Sequence, residues 1–193
     1  MRTAIISLTT NGARLAEKIA SKVGGQTFAK GKNFTKLADL VSELFDKFDG
    51  LIFICAAGIV VRMIAPHLGD KLSDPAILVI DERGQNVISL LSGHVGRANE
   101  LTLEIAKAIE ANPVITTATD VAGKFSVDAI SSRLGLVPEP KEAIKAINSA
   151  ILRGEEVFVT AIARPTFSPP PLMKLKPLTM MTSRTPGVLL MIS

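Results

Sequence analysis

The run Gly50–Cys55, GLIFIC, is apolar from end to end over the length of one strand. A strand with one wet face alternates apolar and polar residues, so an unbroken apolar run is covered on both faces. Amphipathic helices are the usual cover for such a sheet. They flank this run. Gly12–Val23 spaces Leu15, Ile19 and Val23 by four, and Phe34–Phe48 sets Leu37, Leu40, Val41, Leu44 and Phe48 on one helical face. Thr3–Leu8 reads as a second apolar strand and Gly25–Lys30 as a further short one. This alternation predicts the α/β class: a three-layer α/β/α domain with a mostly parallel sheet and ligands at its strand ends.

Downstream, Gly58–Leu68 predicts a short helix stopped near Pro66. Ala76–Ile80 and Asn86–Leu91 surround Arg83-Gly84 and predict a β-hairpin. Gly96–Ala111 predicts a helix with Leu101, Ile105, Ala108 and Ile109 inward, and Pro113–Ala118 the next strand. The character changes at Asp120. Phe125–Leu136 and Pro140–Gly154 read as helices and Glu155–Ala161 as a strand, so residues 121–162 form a helical middle segment after an N-terminal domain of residues 1–120. Residues 163–193 hold six of the eleven prolines and four of the six methionines without a clear period. Two readings of this end stand: a disordered or loosely docked tail, or the product of a truncation or frame shift of a longer gene.

Composition excludes several function classes. Aromatic residues make up 4%, with no Trp and no Tyr, so stacking platforms for single-stranded nucleic acid are scarce. The net charge of +4 resides wholly in residues 163–193; the rest balances 18 basic against 18 acidic side chains. No nucleic-acid partner is expected from such a distribution. No stretch reaches the roughly 18 apolar residues of a membrane span, and the N-terminal apolar run is too short for a signal peptide. The single Cys55 excludes an intrachain disulfide and fits the cytoplasm.

Chemistry concentrates in Ser92–Glu100, SGHVGRANE. Glycines let a backbone approach a ligand, and a helix start offers N–H groups to an anion. His94 moves protons near neutral pH, and Arg97 pairs with carboxylate or phosphate. The same stretch reads equally as a strand-to-helix turn with a structural histidine. Thr116-Thr117-Ala118-Thr119-Asp120 puts hydroxyls and a carboxylate at a strand end, as a site or as a cap for the next helix. Asp81-Glu82 reads first as a solvated turn, because adjacent strand residues face opposite ways. Arg62 and Lys71 flank a loop that also holds His67. Two histidines and one cysteine offer few ligands for a protein-bound metal.

Taken in order, Gly58–Arg62, Ile64-Ala65-Pro66, Lys71, Asp74-Pro75, Asp81-Glu82, Leu91–His94, Ala98-Asn99-Glu100 and Pro113–Asp120 closely resemble the cobalt-precorrin-5A hydrolase family, also called cobalamin biosynthesis protein G. The resemblance covers about residues 1–120 and continues more loosely through the middle segment; nothing after about Thr160 resembles the family's C-terminal domain.

The resemblance implies anaerobic cobalamin (vitamin B12) biosynthesis. The substrate is a cobalt corrinoid bearing a δ-lactone, which water opens, and a methylated bridging carbon leaves as acetaldehyde. Cobalt arrives with the substrate, so no protein-bound cofactor or metal is expected. On that footing His94, Asp120 and Glu100 are the candidate catalytic residues, with His94 or Asp120 as base for water. Backbone N–H groups around Gly93–Gly96 would cradle an oxyanion or carboxylate. Arg62, Lys71 and Arg97 would hold the corrinoid's peripheral carboxylates. Gly58, Ser92, Gly93, Gly96, Asn99, Thr116, Thr117 and Thr119 complete the expected substrate wall. A non-catalytic corrinoid-binding module is the rival reading, and a phosphate- or nucleotide-binding domain a third by fold analogy alone. Other enzymes of the pathway are candidate partners, and Val188–Ile192 offers an apolar segment for self-association.

Overall fold

The computed structural model describes residues 1–70, 73–124, 126–134, 138–139, 143–155, 157–161 and 189–192. It divides into two units, Met1–Val121 and Ala122–Ser193. The first unit runs β1 (Thr3–Ser7), α1 (Thr10–Val23), β2 (Gln26–Ala29), α2 (Leu37–Leu44), β3 (Gly50–Ile54), α3 (Ala57–Ile64), a 3-10 turn at Ala65–His67, β4 (Ala76–Ile80), β5 (Asn86–Leu91), α4 (Ala98–Ile109), β6 (Asn112–Val114) and α5 (Ala118–Val121).

Its six strands form one sheet in the order β2-β1-β3-β4-β5-β6. β1, β2, β3 and β4 are mutually parallel, β5 runs antiparallel to β4, and β6 runs parallel to β5. Every residue of β1, β3 and β4 is buried. Alternate residues serve opposite layers, as the pleat requires. Ile5, Ile52, Ile54, Leu78 and Ile80 pack with Ala16 and Ile19 of α1 and with Leu101 and Ile105 of α4. Ala4, Ile6, Leu51, Phe53, Ile77 and Val79 pack with Leu40, Val41 and Leu44 of α2 and with Val60 and Ile64 of α3. The unit is a three-layer α/β/α domain. Fully burying one side chain of the size of Phe53 contributes about 1.5–3 kcal/mol, so the continuous apolar strands are its main source of stability.

The hairpin Ala76–Ile80/Asn86–Leu91 occurs as the sequence predicts. Several boundaries differ, three of them for a visible reason. The helix expected over Phe34–Phe48 begins at Leu37, because a turn holds residues 30–34: Lys30 bridges Phe34, and the Asn33 side chain accepts the Ala29 N–H. The strand expected over Pro113–Ala118 stops at Val114, and Thr117 instead starts the turn of α5 by accepting the Val121 N–H. The helix expected from Gly96 begins at Ala98, because Arg97 is in the left-handed region at φ 64°.

The second unit contains α6 (Val127–Leu134), β7 (Pro138–Glu139), α7 (Ala143–Arg153), β8 (Phe158–Ala161) and β9 (Leu189–Ile192), with strand order β7-β9-β8. Val127, Ile147 and Ile151 form its apolar cluster. Asn148 Oδ1 accepts the Val127 N–H at 2.9 Å, tying the start of α6 to α7. Lys124 Nζ donates to the carbonyls of Ile151 and Leu152 and satisfies the end of α7. Leu189–Ile192, within the apolar segment read from sequence at Val188–Ile192, forms β9, which pairs parallel with β8 and antiparallel with β7. Residues 162–188, the greater part of the Pro/Met-rich end, lie outside the described residues.

Candidate functional site

The stretch after β5 is held by close approach. Ser92 and Arg97 both adopt left-handed backbone, at φ 57° and 64°. Each such non-glycine residue costs about 1–3 kcal/mol and persists only where its surroundings fix it. Gly96 lies against Ser92: a Cβ there would meet Ser92 Cβ at 2.5 Å and its carbonyl oxygen at 2.9 Å. Gly93 lies on the Asn99 amide, where a Cβ would meet Oδ1 at 2.9 Å. The loop also satisfies the helix start. Arg97, Ala98 and Asn99 N–H donate to the carbonyls of His94, Ser92 and Gly93. Those three N–H groups are therefore spent on the loop itself, and the cradle expected of Gly93–Gly96 would have to come from the N–H groups before them.

The loop delivers His94 to Asp120. Nε2 of His94 lies 2.8 Å from Asp120 Oδ2 and 3.3 Å from Thr119 Oγ1. The same carboxylate oxygen accepts Thr117 Oγ1–H at 2.6 Å and Asn99 Nδ2–H at 3.0 Å. Asn99 Nδ2 also donates to Thr117 Oγ1 at 2.8 Å, while its Oδ1 accepts Ser89 Oγ–H at 2.7 Å. His94 is 15% exposed and Asp120 37%, whereas Asn99 is buried. The pair thus sits at the surface on a buried polar base.

Burial pushes the Asp120 carboxyl up, but hydrogen bonds from Thr117 and His94, the charge of His94 and the Asn99 amide outweigh it. The group is held below its usual range. Asp120 is therefore ionised at neutral pH, and an ionised carboxylate only accepts. The proton between the pair then belongs on His94 Nε2, and Nδ1 is the basic nitrogen of that tautomer. The carboxylate therefore accepts from the histidine ring and holds it in place.

The other expected residues distribute as follows. Arg97 Nε donates to Glu100 Oε2 at 2.8 Å, so these two pair on the first turn of α4. Thr116 is exposed, and Thr117 and Thr119 are in the network. The Ser92 hydroxyl is buried without a hydrogen-bond partner among the described residues. Gly58 and Arg62 lie elsewhere. Gly58 follows the carboxyl end of β3, which aligns with Ile80 of β4 and Val87 of β5; His94 follows the other end of β5. Arg62 belongs to α3, in the layer opposite α4, and its guanidinium donates to the Gly58 carbonyl. The single substrate wall joining Gly58, Arg62 and His94 is thus not what the sheet order produces. Lys71 lies outside the described residues.

Asp81 spends its carboxylate on the hairpin turn, accepting the N–H groups of Arg83 and Asn86. Glu82 accepts the Thr9 hydroxyl. Beside them a cavity of about 300 Å³ is lined by Leu8, Cys55, Ala56 and Ile59 at the carboxyl ends of β1 and β3. A second cavity, of about 400 Å³, is lined by Asp46, Asp49, Asp74, Val95, Gly96 and Arg97. Its acidic wall suits a carboxylate-rich ligand poorly. His94 and Asp120 line neither. The residue that sequence reasoning missed is Ser89. Its signal is a hydroxyl two residues after buried Val87, on the face that alternation turns toward α4. Among the described residues no group of three or more His, Cys, Asp or Glu is arranged to hold a metal ion, and no helix is long and apolar enough to cross a membrane.

The network residues His94, Asn99, Thr117 and Asp120 all fall within residues 39–120, which match the family model described as cobalamin synthesis G N-terminal. Through this region the chain belongs to the cobalamin synthesis G N-terminal family. Curated relatives agree. A Priestia megaterium protein named cobalt-precorrin-5A hydrolase is 51% identical over 120 residues, covering 62% of this chain and 32% of that protein. A Salmonella typhimurium protein of the same name is 40% identical over 163 residues, covering 80% of this chain and 46% of that protein. The chain thus spans about a third to a half of the length of these relatives. A crystal structure from Sulfolobus solfataricus, described as that of a cobalamin biosynthesis protein G homolog, superposes with a TM-score of 0.56. It shares 24% identity, over all of this chain and 60% of that one, and supports the fold of the family alone.

Proposed function

We propose that this chain carries the acid–base pair of a cobalt-precorrin-5A hydrolase, acting on the substrate's δ-lactone in anaerobic cobalamin biosynthesis in the cytoplasm. The observation that carries the reading is the His94–Asp120 contact inside the region matched by the family model.

His94 takes a proton from water, and the resulting hydroxide oxygen bonds to the lactone carbonyl carbon. The tetrahedral intermediate collapses, the ring C–O bond breaks, and the leaving alkoxide takes the proton back from His94. The products are a carboxylic acid and an alcohol, together one water heavier than the lactone, and the acid then gives its proton to solvent. Asp120 steadies the imidazolium formed in between. Loss of the alcohol proton then makes a C=O bond and breaks the C–C bond to the macrocycle. Acetaldehyde leaves, and the electron pair left on the macrocycle is protonated. Arg97, held by Glu100, offers its guanidinium to a peripheral carboxylate. Cobalt enters and leaves with the substrate.

A second reading is favoured by length. Because the chain spans 32% and 46% of two relatives, it acts in that reading as a corrinoid-binding module whose chemistry needs the remainder. One experiment separates them. The chain is incubated with the lactone corrinoid, the corrinoid is weighed by mass spectrometry, and acetaldehyde is measured by coupled reduction. A corrinoid whose mass has changed by the gain of one water and the loss of one acetaldehyde, with the aldehyde recovered, supports the enzyme. Tight binding seen by corrinoid absorbance, with no mass change, supports the module. Neither binding nor turnover defeats both.

A further inference from the structure

We propose that Asn99 is a positioning residue which fixes the tautomer of His94 through Asp120 and does not itself touch substrate. The inference rests on the reading of His94–Asp120 as the acid–base pair and assigns what holds that pair in register.

Asn99 is 4% exposed, at the start of α4. Both of its amide donors are committed, to Thr117 Oγ1 at 2.8 Å and to Asp120 Oδ2 at 3.0 Å. Its carbonyl oxygen accepts the hydroxyl of Ser89, which stands on β5. That third bond sets the sense of the amide. A flipped amide would turn its N–H groups toward Ser89 and its oxygen toward the Asp120 carboxylate, where two acceptors repel. Gly93 lies against the amide, where a Cβ on the glycine would come within 2.9 Å of Asn99 Oδ1. The sheet therefore specifies the amide, the amide and Thr117 together fix where Asp120 Oδ2 lies, and His94 Nε2 meets that oxygen at 2.8 Å. A substrate contact would need a polar group of Asn99 that this arrangement does not spare. The charged groups nearest in sequence, Arg97 and Glu100, pair with each other.

Two histidines in the chain make the test direct. Nitrogen-15 spectra of the imidazoles report tautomer and titration midpoint, and His67, packed on Phe45 with ring centroids 5.4 Å apart, is the internal reference. The wild-type chain is expected to hold His94 as one tautomer, protonated at Nε2. Asn99→Ala frees Asp120 to turn, so the tautomers mix and the His94 midpoint falls by on the order of half a unit. Asn99→Asp sets a second carboxylate beside the first, so the midpoint rises by about as much or more. In both, the His67 signal stays where it is. A residue that merely packs would move His94 in neither sense. Unfolding would carry both histidines to one value.

A wild-type His94 protonated at Nδ1, or already a mixture, overturns the proposal without any variant. So do folded Ala and Asp variants with His94 unchanged. If the Asn99 variants do not fold, Ser89→Ala removes only the lock on the amide. It is expected to raise the minor tautomer, and no change there also overturns the assignment. These readouts use the free protein, so absence of lactone turnover would sink the proposed function and leave this result standing.

Discussion

His94 and Asp120 meet at 2.8 Å although 26 residues separate them, because α4 and β6 carry the chain out and back to the same end of the sheet. β5 and β6 are parallel, so the loops after both leave from one edge. The contact is thus a consequence of the β5-α4-β6 unit; it lies at the carboxyl end of that parallel pair, which is the amino end of β3 and β4.

The contact makes acid stability directional. Asp120 is held below its usual 3.8 in the fold, so its contribution is fully present above the unfolded value and is lost as pH falls through the folded one. Asp81, where burial raises but the backbone N–H groups of Asn86, Gln85 and Arg83 lower, shifts the same way. Urea midpoints of the wild type and Asp120→Asn are therefore expected to differ at about pH 6 and to converge below about pH 4. A gap that widens in acid would contradict the assignment.

Gly96 is a close-packing position. Alanine there would set its Cβ 2.5 Å from Ser92 Cβ and 2.9 Å from a backbone oxygen. Neither can yield without moving the loop, so Gly96→Ala should cost about 1–3 kcal/mol. Chemical denaturation measures the loss, and the His94 imidazole signal should shift with it.

Cys55 should be slow to react. Burial pushes its thiol up to about 11, so the thiolate is rare at neutral pH. Alkylation of the native chain by iodoacetamide is expected to run about a hundredfold slower than for the urea-unfolded chain. Equal rates would mean that the thiol is open to water.

How legible this was in the sequence depends on the range of the interaction. Unbroken apolar runs such as Gly50–Cys55 specified strands covered on both faces, and β3 is buried throughout. Turn residues Arg83-Gly84 marked the hairpin, because Gly84 takes φ 68°. The sequence also put His94, Asn99, Thr117 and Asp120 on the candidate list. It did not say which groups share an end of the sheet. That depends on strand order and on β5 running against β4, which sends Gly58 and Ser92 to opposite edges. Nor did it show that the loop carbonyls of Ser92 and Gly93 already occupy the first N–H groups of α4. Both are matters of tertiary register, on which side-chain period is silent.

The most direct test of the central claim is the rate of acetaldehyde release from the lactone corrinoid by the wild-type chain and by His94→Ala, with corrinoid binding measured in parallel. Removal of a general base predicts a fall of about 10²–10⁴-fold in rate with binding retained. Equal rates in the two proteins would contradict the account.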